Sequence, residues 1–228
     1  MLRDVGVIVV AAGRGVRFGG AVPKQYRELG GVPLLLRALR PFASHPEVAH
    51  VVVVLPVADA ANPPGFLAEL TGGNLSVVAG GSERRASVAR GLAAVPAGCS
   101  LILVHDAARP LVDRAIIDAV IAAARRGVGA VPVIPIGDTV KESDGAEPGL
   151  AQVIRTVPRE RLWLAQTPQG FPRALLESAH ARDTDGARAT DDAMLIEQMG
   201  APVVLVAGSR RNLKVTTDED LFLAERLL

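Results

Sequence analysis

An apolar, β-branched run, Val5-Gly-Val-Ile-Val-Val10, opens directly into Ala11-Ala12-Gly13-Arg14-Gly15-Val16-Arg17, with Pro23-Lys24-Gln25-Tyr26 close behind. A run this short and bounded by glycine reads as a buried strand rather than a helix. Glycines 13, 15, 19 and 20 let the following loop bring its amides against a ligand, and Arg14, Arg17 and Lys24 add three cations within eleven residues. Backbone donors combined with fixed positive charge are what the phosphates of a nucleotide require. A buried strand feeding a phosphate-binding loop belongs to layered α/β architectures.

Neither familiar phosphate loop fits. A P-loop needs Gly-Lys-Ser/Thr after four intervening residues, whereas Lys24 follows Pro23 and precedes Gln25, so the hydroxyl ligand for magnesium is missing. A dinucleotide fingerprint needs a third glycine where Phe18 stands, and an acid at the end of the second strand, where His50-Val-Val-Val-Val-Leu55 runs into Pro56. The remaining alternative at this level is an ordinary glycine-rich turn between strand and helix.

Apolar strands alternate with helical segments along most of the chain, which is a doubly wound α/β layout with a mostly parallel sheet. After the first strand, 33–40 reads as a helix with proline at its start. A strand at 50–55, a Pro- and Gly-containing connection near 62–65, a short helix and a strand at 75–79 follow. A helix carrying Ser87 ends before Pro96, and a strand at 101–104 delivers His105-Asp106-Ala-Ala-Arg109-Pro110. Helices over 113–126, 172–182 and 191–199, strands over 128–134 and 202–207, and a closing helix capped by Thr217 complete the layer. The 228 residues, 49% of them hydrophobic, suffice for one large domain, and no repeat or linker divides them. The reading is therefore one domain over 1–228.

Composition excludes several partners. A formal net charge of +1 supplies no field to recruit nucleic acid or an anionic membrane. No apolar stretch approaches a membrane span and no signal-peptide pattern opens the chain, so a cytoplasmic protein is expected. The single Cys99 reads as packed, and histidines 45, 50, 105 and 180 show no metal-ligand spacing. Among 25 basic residues only Lys24, Lys141 and Lys214 are lysines, which draws attention to those three, because a compact ammonium differs from a planar guanidinium.

In open sheets of this type the ligand crevice lies beyond the carboxyl ends of the strands, and the polar motifs fall there. Asp106 is a carboxylate placed to hold a magnesium ion that bridges nucleotide phosphates, or else to pair with Arg109. Segment 137–160 stands apart: 138–142 and 150–155 flank Asp144-Gly145, a hairpin-turn signal. A two-stranded arm is not stable alone. It packs either on its own domain or, as expected here, on a second copy, bringing Thr139 or Arg159 near the neighbour's crevice.

Taken in order, Ala11-Ala-Gly-x-Gly-x-x-Arg17, Pro23-Lys-Gln-Tyr26, Gly80-Gly81, Glu83-Arg84 with Ser87, His105-Asp-Ala-Ala-Arg-Pro110, Asp138-Thr139, Gln166-Thr-Pro-Gln169, Thr190-Asp191 and Asn212-Leu-Lys-Val-Thr216 resemble the 2-C-methyl-D-erythritol 4-phosphate cytidylyltransferases. The resemblance spans the whole chain. It implies a Rossmann-like nucleotidyltransferase fold and a homodimer with an exchanged β-arm. It also implies a magnesium-dependent reaction that joins CTP to methylerythritol phosphate and releases pyrophosphate, in the non-mevalonate isoprenoid pathway. By the same resemblance Arg17, Lys24, Arg159 and Lys214 are catalytic, the first two at the transition state and the last two on the incoming phosphate. Ala11, Ala12, Gly13, Arg14, Gly15, Arg17, Lys24, Gly81, Ser82 and Ser87 hold the nucleotide. Asp106, Arg109, Thr139, Arg159, Thr167, Thr190 and Lys214 line the polyol phosphate site, with Asp106 on the metal. Ser82 and Pro158 stand where some relatives carry aspartate.

Three other readings compete. A related cytidylyltransferase acting on a pentitol phosphate would share fold and cations, but such relatives carry a bulkier Val-Arg-Pro-Phe type segment where this chain has Ala107-Ala-Arg-Pro-Leu111. A nicotinamide-dependent oxidoreductase lacks its third glycine here. A non-catalytic nucleotide sensor would not need the full set of cations.

Overall fold

The computed structural model describes residues 2–13, 22–68, 70, 73–147, 149–182 and 189–228. In chain order its elements are β1 (Val5–Val10), β2 (Glu28–Leu29), β3 (Val32–Pro33), α1 (Leu34–Ala43), β4 (Val48–Leu55), α2 (Val57–Ala61), α3 (Gly65–Ala68) and β5 (Leu75–Ala79). Next come α4 (Arg84–Ala94), β6 (Leu101–Asp106), α5 (Arg114–Ala124), β7 (Gly129–Pro135), β8 (Val140–Ser143) and β9 (Val153–Val157). The remainder is β10 (Trp163–Ala165), β11 (Gln169–Pro172), α6 (Arg173–Ala181), α7 (Asp192–Gln198), β12 (Val203–Ala207) and α8 (Asp218–Arg226).

The central sheet runs β10-β7-β11-β6-β1-β4-β5, with β12 also paired to β7. Strands β1, β4, β5, β6, β7 and β12 share one direction, and β10 and β11 run against them. The apolar runs explain the layering, because continuous hydrophobic strands bury both faces. Along β1, Val5, Val7 and Val9 enter one core with Leu35, Leu39 and Phe42 of α1 and Ile117 and Val120 of α5. Ile8 enters the opposite core with Val88 and Leu92 of α4, Leu176 of α6 and Leu195 of α7. The same alternation recurs in β4 (Val51 and Val53 against Val52 and Val54) and β6 (Leu101 and Leu103 against Ile102 and Val104). Helices therefore cover both faces. No helix among the described residues is long and apolar enough to cross a membrane.

Three features depart from the sequence expectation. Strands β10 and β11 fall in a stretch to which the sequence reading assigned no element, and β11 wedges antiparallel between β6 and β7. Glycine at 170 is required there, since a Cβ would lie 2.5 Å from Val120 Cγ1 of α5. A small hairpin, β2 with β3, turns through Gly30 and Gly31 at φ of +55° and +71°, the pair of left-handed positions that a type I′ turn demands. The arm exists as β8 against β9 but does not turn at Asp144-Gly145 in two residues. Its connection spans 144–152, closed by Asp144 N–H on Gln152 O at 3.1 Å and by Gln152 N–H on the Asp144 carboxylate at 2.7 Å. In the arm, Leu150, Val153 and Ile154 are exposed.

An ion network around the buried Asp4 pins the start of β1. Asp4 accepts from Arg125 Nη2 at 2.8 Å and from the Ser100 hydroxyl, and Arg125 also reaches Glu47 at 2.6 Å. Burial alone would raise the Asp4 pKa, but Arg125 and Ser100 outweigh it and hold the group below its ordinary 3.8. A depressed folded pKa means stability that is present above the unfolded value and lost as pH falls through the folded one. Asp4→Asn is expected to cost about 1–3 kcal/mol at neutral pH, and urea melts should show that difference shrinking as the solution is acidified below 3.8. A difference that persists unchanged in acid would mean that the Asp4 charge contributes nothing.

Candidate active site

The chain runs β1, β4, β5 outward along the sheet and then returns to β6 on the other side of β1. This reversal is a topological switch point, where loops leaving neighbouring strands diverge and leave a crevice. A cleft of 710 Å³ opens there, and its walls are the strand ends Val10, Pro56, Gly80 and Asp106 with Lys24, Arg84 and Lys214. That volume lies within the usual range for a small-molecule site.

The cleft wall formed by the 11–13 and 80–82 loops is built on close backbone approach. A Cβ on Gly80 would fall 2.4 Å from Ala12 Cβ, so only glycine lets this loop lie against 11–13. Ser87 Oγ accepts from Gly81 N–H at 3.1 Å and donates to Glu83 O at 3.0 Å, tying the loop to α4. Arg90 donates to Gly80 O at 2.5 Å from the same helix. Lys24 stands in a 3-10 turn over Lys24–Tyr26. Tyr26 fastens that turn by donating to Asp59 Oδ2 at 2.6 Å and packing edge-on against Phe66.

Asp106 closes β6 in register with Val10 of β1. Lys214 Nζ donates to its Oδ2 at 2.7 Å, and Arg84 Nε lies 3.5 Å from its Oδ1. Burial would raise this pKa, but Arg84, Lys214 and Arg109 overcome it and hold the carboxyl well below the usual carboxylate range. Lys214 arrives by a fixed route. Val215 N–H donates to Ala108 O at 2.7 Å, and a capping box of Thr217 and Asp220 starts α8 immediately after.

Behind Asp106 lies a buried polar layer. Asp106 N–H donates to Thr167 Oγ1 at 3.0 Å, the Thr167 hydroxyl lies 3.1 Å from His105 Nδ1, and His105 Nε2 lies 3.1 Å from Arg109 O. The Arg109 carbonyl can only accept, so Nε2 carries the proton and Nδ1 takes the Thr167 hydrogen. Burial lowers the His105 pKa to about 4, which keeps the ring neutral near pH 7. Arg109 itself donates to Asn212 O at 2.7 Å and Ala165 O at 3.3 Å.

Of the residues expected from sequence, the cleft brings together Ala11, Ala12, Gly13, Lys24, Gly81, Ser82, Ser87, Asp106 and Lys214. Arg14, Gly15 and Arg17 lie outside the described residues. Thr167 and Arg109 are behind Asp106, in the buried layer. Thr139, Arg159 and Thr190 are exposed and do not line this cleft, and Arg159 donates to Gly137 O at the root of the arm. Arg84 and Arg90 join the site although the sequence reading gave neither a role. The available signal was position, since both lie on the helix that follows the Gly80-Gly81 loop.

The residues present suit a magnesium ion of a particular kind. No group of three His, Cys, Asp or Glu converges among the described residues. A lone strand-end carboxylate fits an ion that takes most of its ligands from substrate phosphates and water.

The sequence pattern of the 2-C-methyl-D-erythritol 4-phosphate cytidylyltransferases (IspD) matches residues 5–228. The chain is 46% identical over 227 residues to the 2-C-methyl-D-erythritol 4-phosphate cytidylyltransferase of Frankia casuarinae, covering 98% of this chain and 81% of that one. The crystal structure of the enzyme of that name from Thermus thermophilus superposes with a TM-score of 0.80 at 42% identity, covering 98% of both chains. That from Francisella tularensis gives 0.82 at 28% identity, covering 99% of this chain and 100% of the other. These matches extend over essentially the whole chain, and the chain belongs to the 2-C-methyl-D-erythritol 4-phosphate cytidylyltransferase family.

Proposed function

We propose that the cleft between the Ala11–Gly13 and Gly80–Ser82 loops binds CTP, with its triphosphate toward Lys24 and the methylerythritol phosphate toward Asp106 and Lys214. The reaction of this family transfers CMP from CTP to 2-C-methyl-D-erythritol 4-phosphate, giving 4-diphosphocytidyl-2-C-methyl-D-erythritol and pyrophosphate. The observation that carries the site assignment is that Lys24, Arg84 and Lys214 converge on one cleft around the buried Asp106 carboxylate.

A phosphate oxygen of the polyol ester attacks the α-phosphorus of CTP, and the bond to the pyrophosphate oxygen breaks. No general base is needed, since a phosphate monoester with a second pKa of about 6 is largely dianionic near neutral pH. The protein's task is alignment and charge neutralisation. Arg17 and Lys24 stabilise charge at the α-phosphate, Lys214 and Arg159 position the attacking phosphate, and Arg14 and Gly15 continue the nucleotide loop. Ser82 and Gly81 offer backbone groups to the base, with Ser87 holding their loop. Asp106 would hold magnesium, which when bound neutralises triphosphate charge. Arg109 and Thr167 buttress the polyol side from behind Asp106, and Thr190 borders it.

We further propose that 1–228 forms one nucleotidyltransferase unit and that two copies exchange arms. Leu150, Val153 and Ile154 of the arm are exposed among the described residues, and an exposed apolar set of this kind suits a self-complementary interface. Thr139 and Arg159 sit at the root of that arm and away from their own cleft, so they serve the partner's. CTP and the polyol phosphate are highly charged and do not cross a bilayer unaided, which supports a cytoplasmic reaction.

Pyrophosphate release should be rapid only when CTP and methylerythritol 4-phosphate are supplied together with magnesium. Release with ribitol 5-phosphate instead would reassign the acceptor, and silence with both would remove the proposed catalytic role. Arg17→Ala and Lys24→Ala should each lower turnover by about 10²–10³-fold with the fold intact; near-normal rates in both would overturn their roles. Mixing Lys24→Ala with Arg159→Ala subunits tests the exchange. If Arg159 acts across the dimer, half the dimers are mixed with one intact site in two, so about a quarter of wild-type activity should return. No recovery on mixing would place Arg159 in its own subunit's site or remove the dimer.

A further inference from the structure

Arg84 lies at the first position of α4 and is largely buried between two carboxylates from distant parts of the chain. Its Nη1 donates to Asp192 Oδ2 at 2.7 Å, whereas its Nε stays 3.5 Å from Asp106 Oδ1. The strong contact faces away from the cleft. Asp192 is 1% exposed, in the first turn of α7, and does not line the cleft. Its other oxygen faces His180 Nε2 at 3.3 Å. The turn that carries Asp192 is itself fixed: Asp191 accepts from Met194 N–H at 3.0 Å, Gln169 Nε2 donates to Asp191 at 2.7 Å, and Ala193 N–H donates to Gln169 Oε1 at 3.1 Å. A carboxylate buried this deeply is costly unless paired. Here its principal partner is a guanidinium that belongs to the active cleft.

The division of contacts has a chemical consequence. A guanidinium presents several N–H groups in a rigid fork, so one Arg can be gripped by one carboxylate while leaning on another. Were Asp192 uncharged, the Arg84 charge would have Asp106 as its nearest anion and would close the 3.5 Å separation to a direct ion pair. Asp106 already accepts from Lys214. A second close cation would occupy part of the Oδ1 lone-pair capacity and repel a divalent ion approaching that oxygen.

We infer that Asp192 is a positioning residue that restrains Arg84 from fully pairing with Asp106 and so keeps one Asp106 oxygen available to the metal–nucleotide complex. The inference rests on the reading of Asp106 as the residue that meets magnesium. It gives α7, whose Asp192 does not line the cleft, a defined part in metal recognition. Asp192 acts only through Arg84 and touches no reacting atom.

The test is CTP binding by calorimetry without acceptor, once with magnesium and once in chelator, so that no turnover enters. In the wild type magnesium should strengthen CTP binding. Asp192→Asn should reduce that gain by about 10–100-fold, as expected for a residue that orients a metal ligand, while metal-free binding stays within about twofold. The double variant Arg84→Gln with Asp192→Asn buries no lone charge, so it should fold even where the single variant does not. It should also recover the magnesium gain to within about threefold of wild type. An unchanged gain in Asp192→Asn, equal losses with and without metal, or a double variant as impaired as the single would each overturn the inference. A wild type with no magnesium gain would remove the Asp106 reading and the inference with it.

Discussion

The Asp106 carboxylate, ionised at the end of a buried strand, is the constraint on which the rest of this structure depends. Taking a carboxylate out of water is tolerable only where cations and hydrogen bonds replace its hydration. Here the replacements come from α4 through Arg84, from the segment before α8 through Lys214, and from the turn after β6 through Arg109. None is local to the strand except Arg109. The doubly wound topology is what brings them together, because the chain must leave β6, pass β7 and the arm, and return through β12 before Lys214 can reach it. The Thr167 hydroxyl and the neutral His105 ring then fix the backbone that carries the carboxylate.

The scaffold keeps the two sides of the cleft in step. Leu29 and Leu34, from the hairpin and helix after the Lys24 turn, share a small core with Val215 and Ala224. Lys24 and Lys214, separated by most of the chain, are therefore mounted on one apolar cluster. A rigid mounting of this kind favours catalysis by alignment, since small displacements of charged groups cost rate steeply. On the opposite wall, the close approach of Gly80 to the Ala12 methyl brings the two loops of the cleft together. Side chains there have only to hold loops in place, as Ser87 and Arg90 do.

Much of the fold was legible because its strands are buried on both faces. Val5–Val10, Val48–Leu55 and Leu101–Asp106 are nearly unbroken apolar runs, and such runs announce themselves. Strands β10 and β11 did not, because segments of three and four residues are too short to establish a run or an alternation. Their strand character comes from the slots beside β7 and β6 that they fill, which is tertiary information. The Gly30-Gly31 turn was readable in principle, as two adjacent glycines between apolar residues signal a tight hairpin. Asp144-Gly145 misled for the converse reason: Asp144 serves as an acceptor that closes a longer loop. At the site, the residues on the strand-end loops were legible. Arg84 gained its role only through Asp106 and Asp192, one 22 and the other 108 residues away, and no local pattern encodes such a pairing.

The scarcity of lysine now has a physical reading. Two of the three lysines line the cleft, in a chain that otherwise prefers arginine. Arginine is suited to positions that must stay gripped: Arg84 between two carboxylates, Arg125 across Asp4 and Glu47, Arg109 on two carbonyls. An ammonium on a flexible stem makes rotatable contacts and redirects its charge without breaking a planar fork. Lys214 is 45% exposed and meets Asp106 through one nitrogen. On the proposed function, a cation that neutralises an arriving phosphate has to exchange its resting partner for the substrate as binding proceeds. The single Asp106–Lys214 contact permits that exchange, whereas the Arg84 grip on Asp192 resists it, so the two cations on one carboxylate divide the work between movement and restraint.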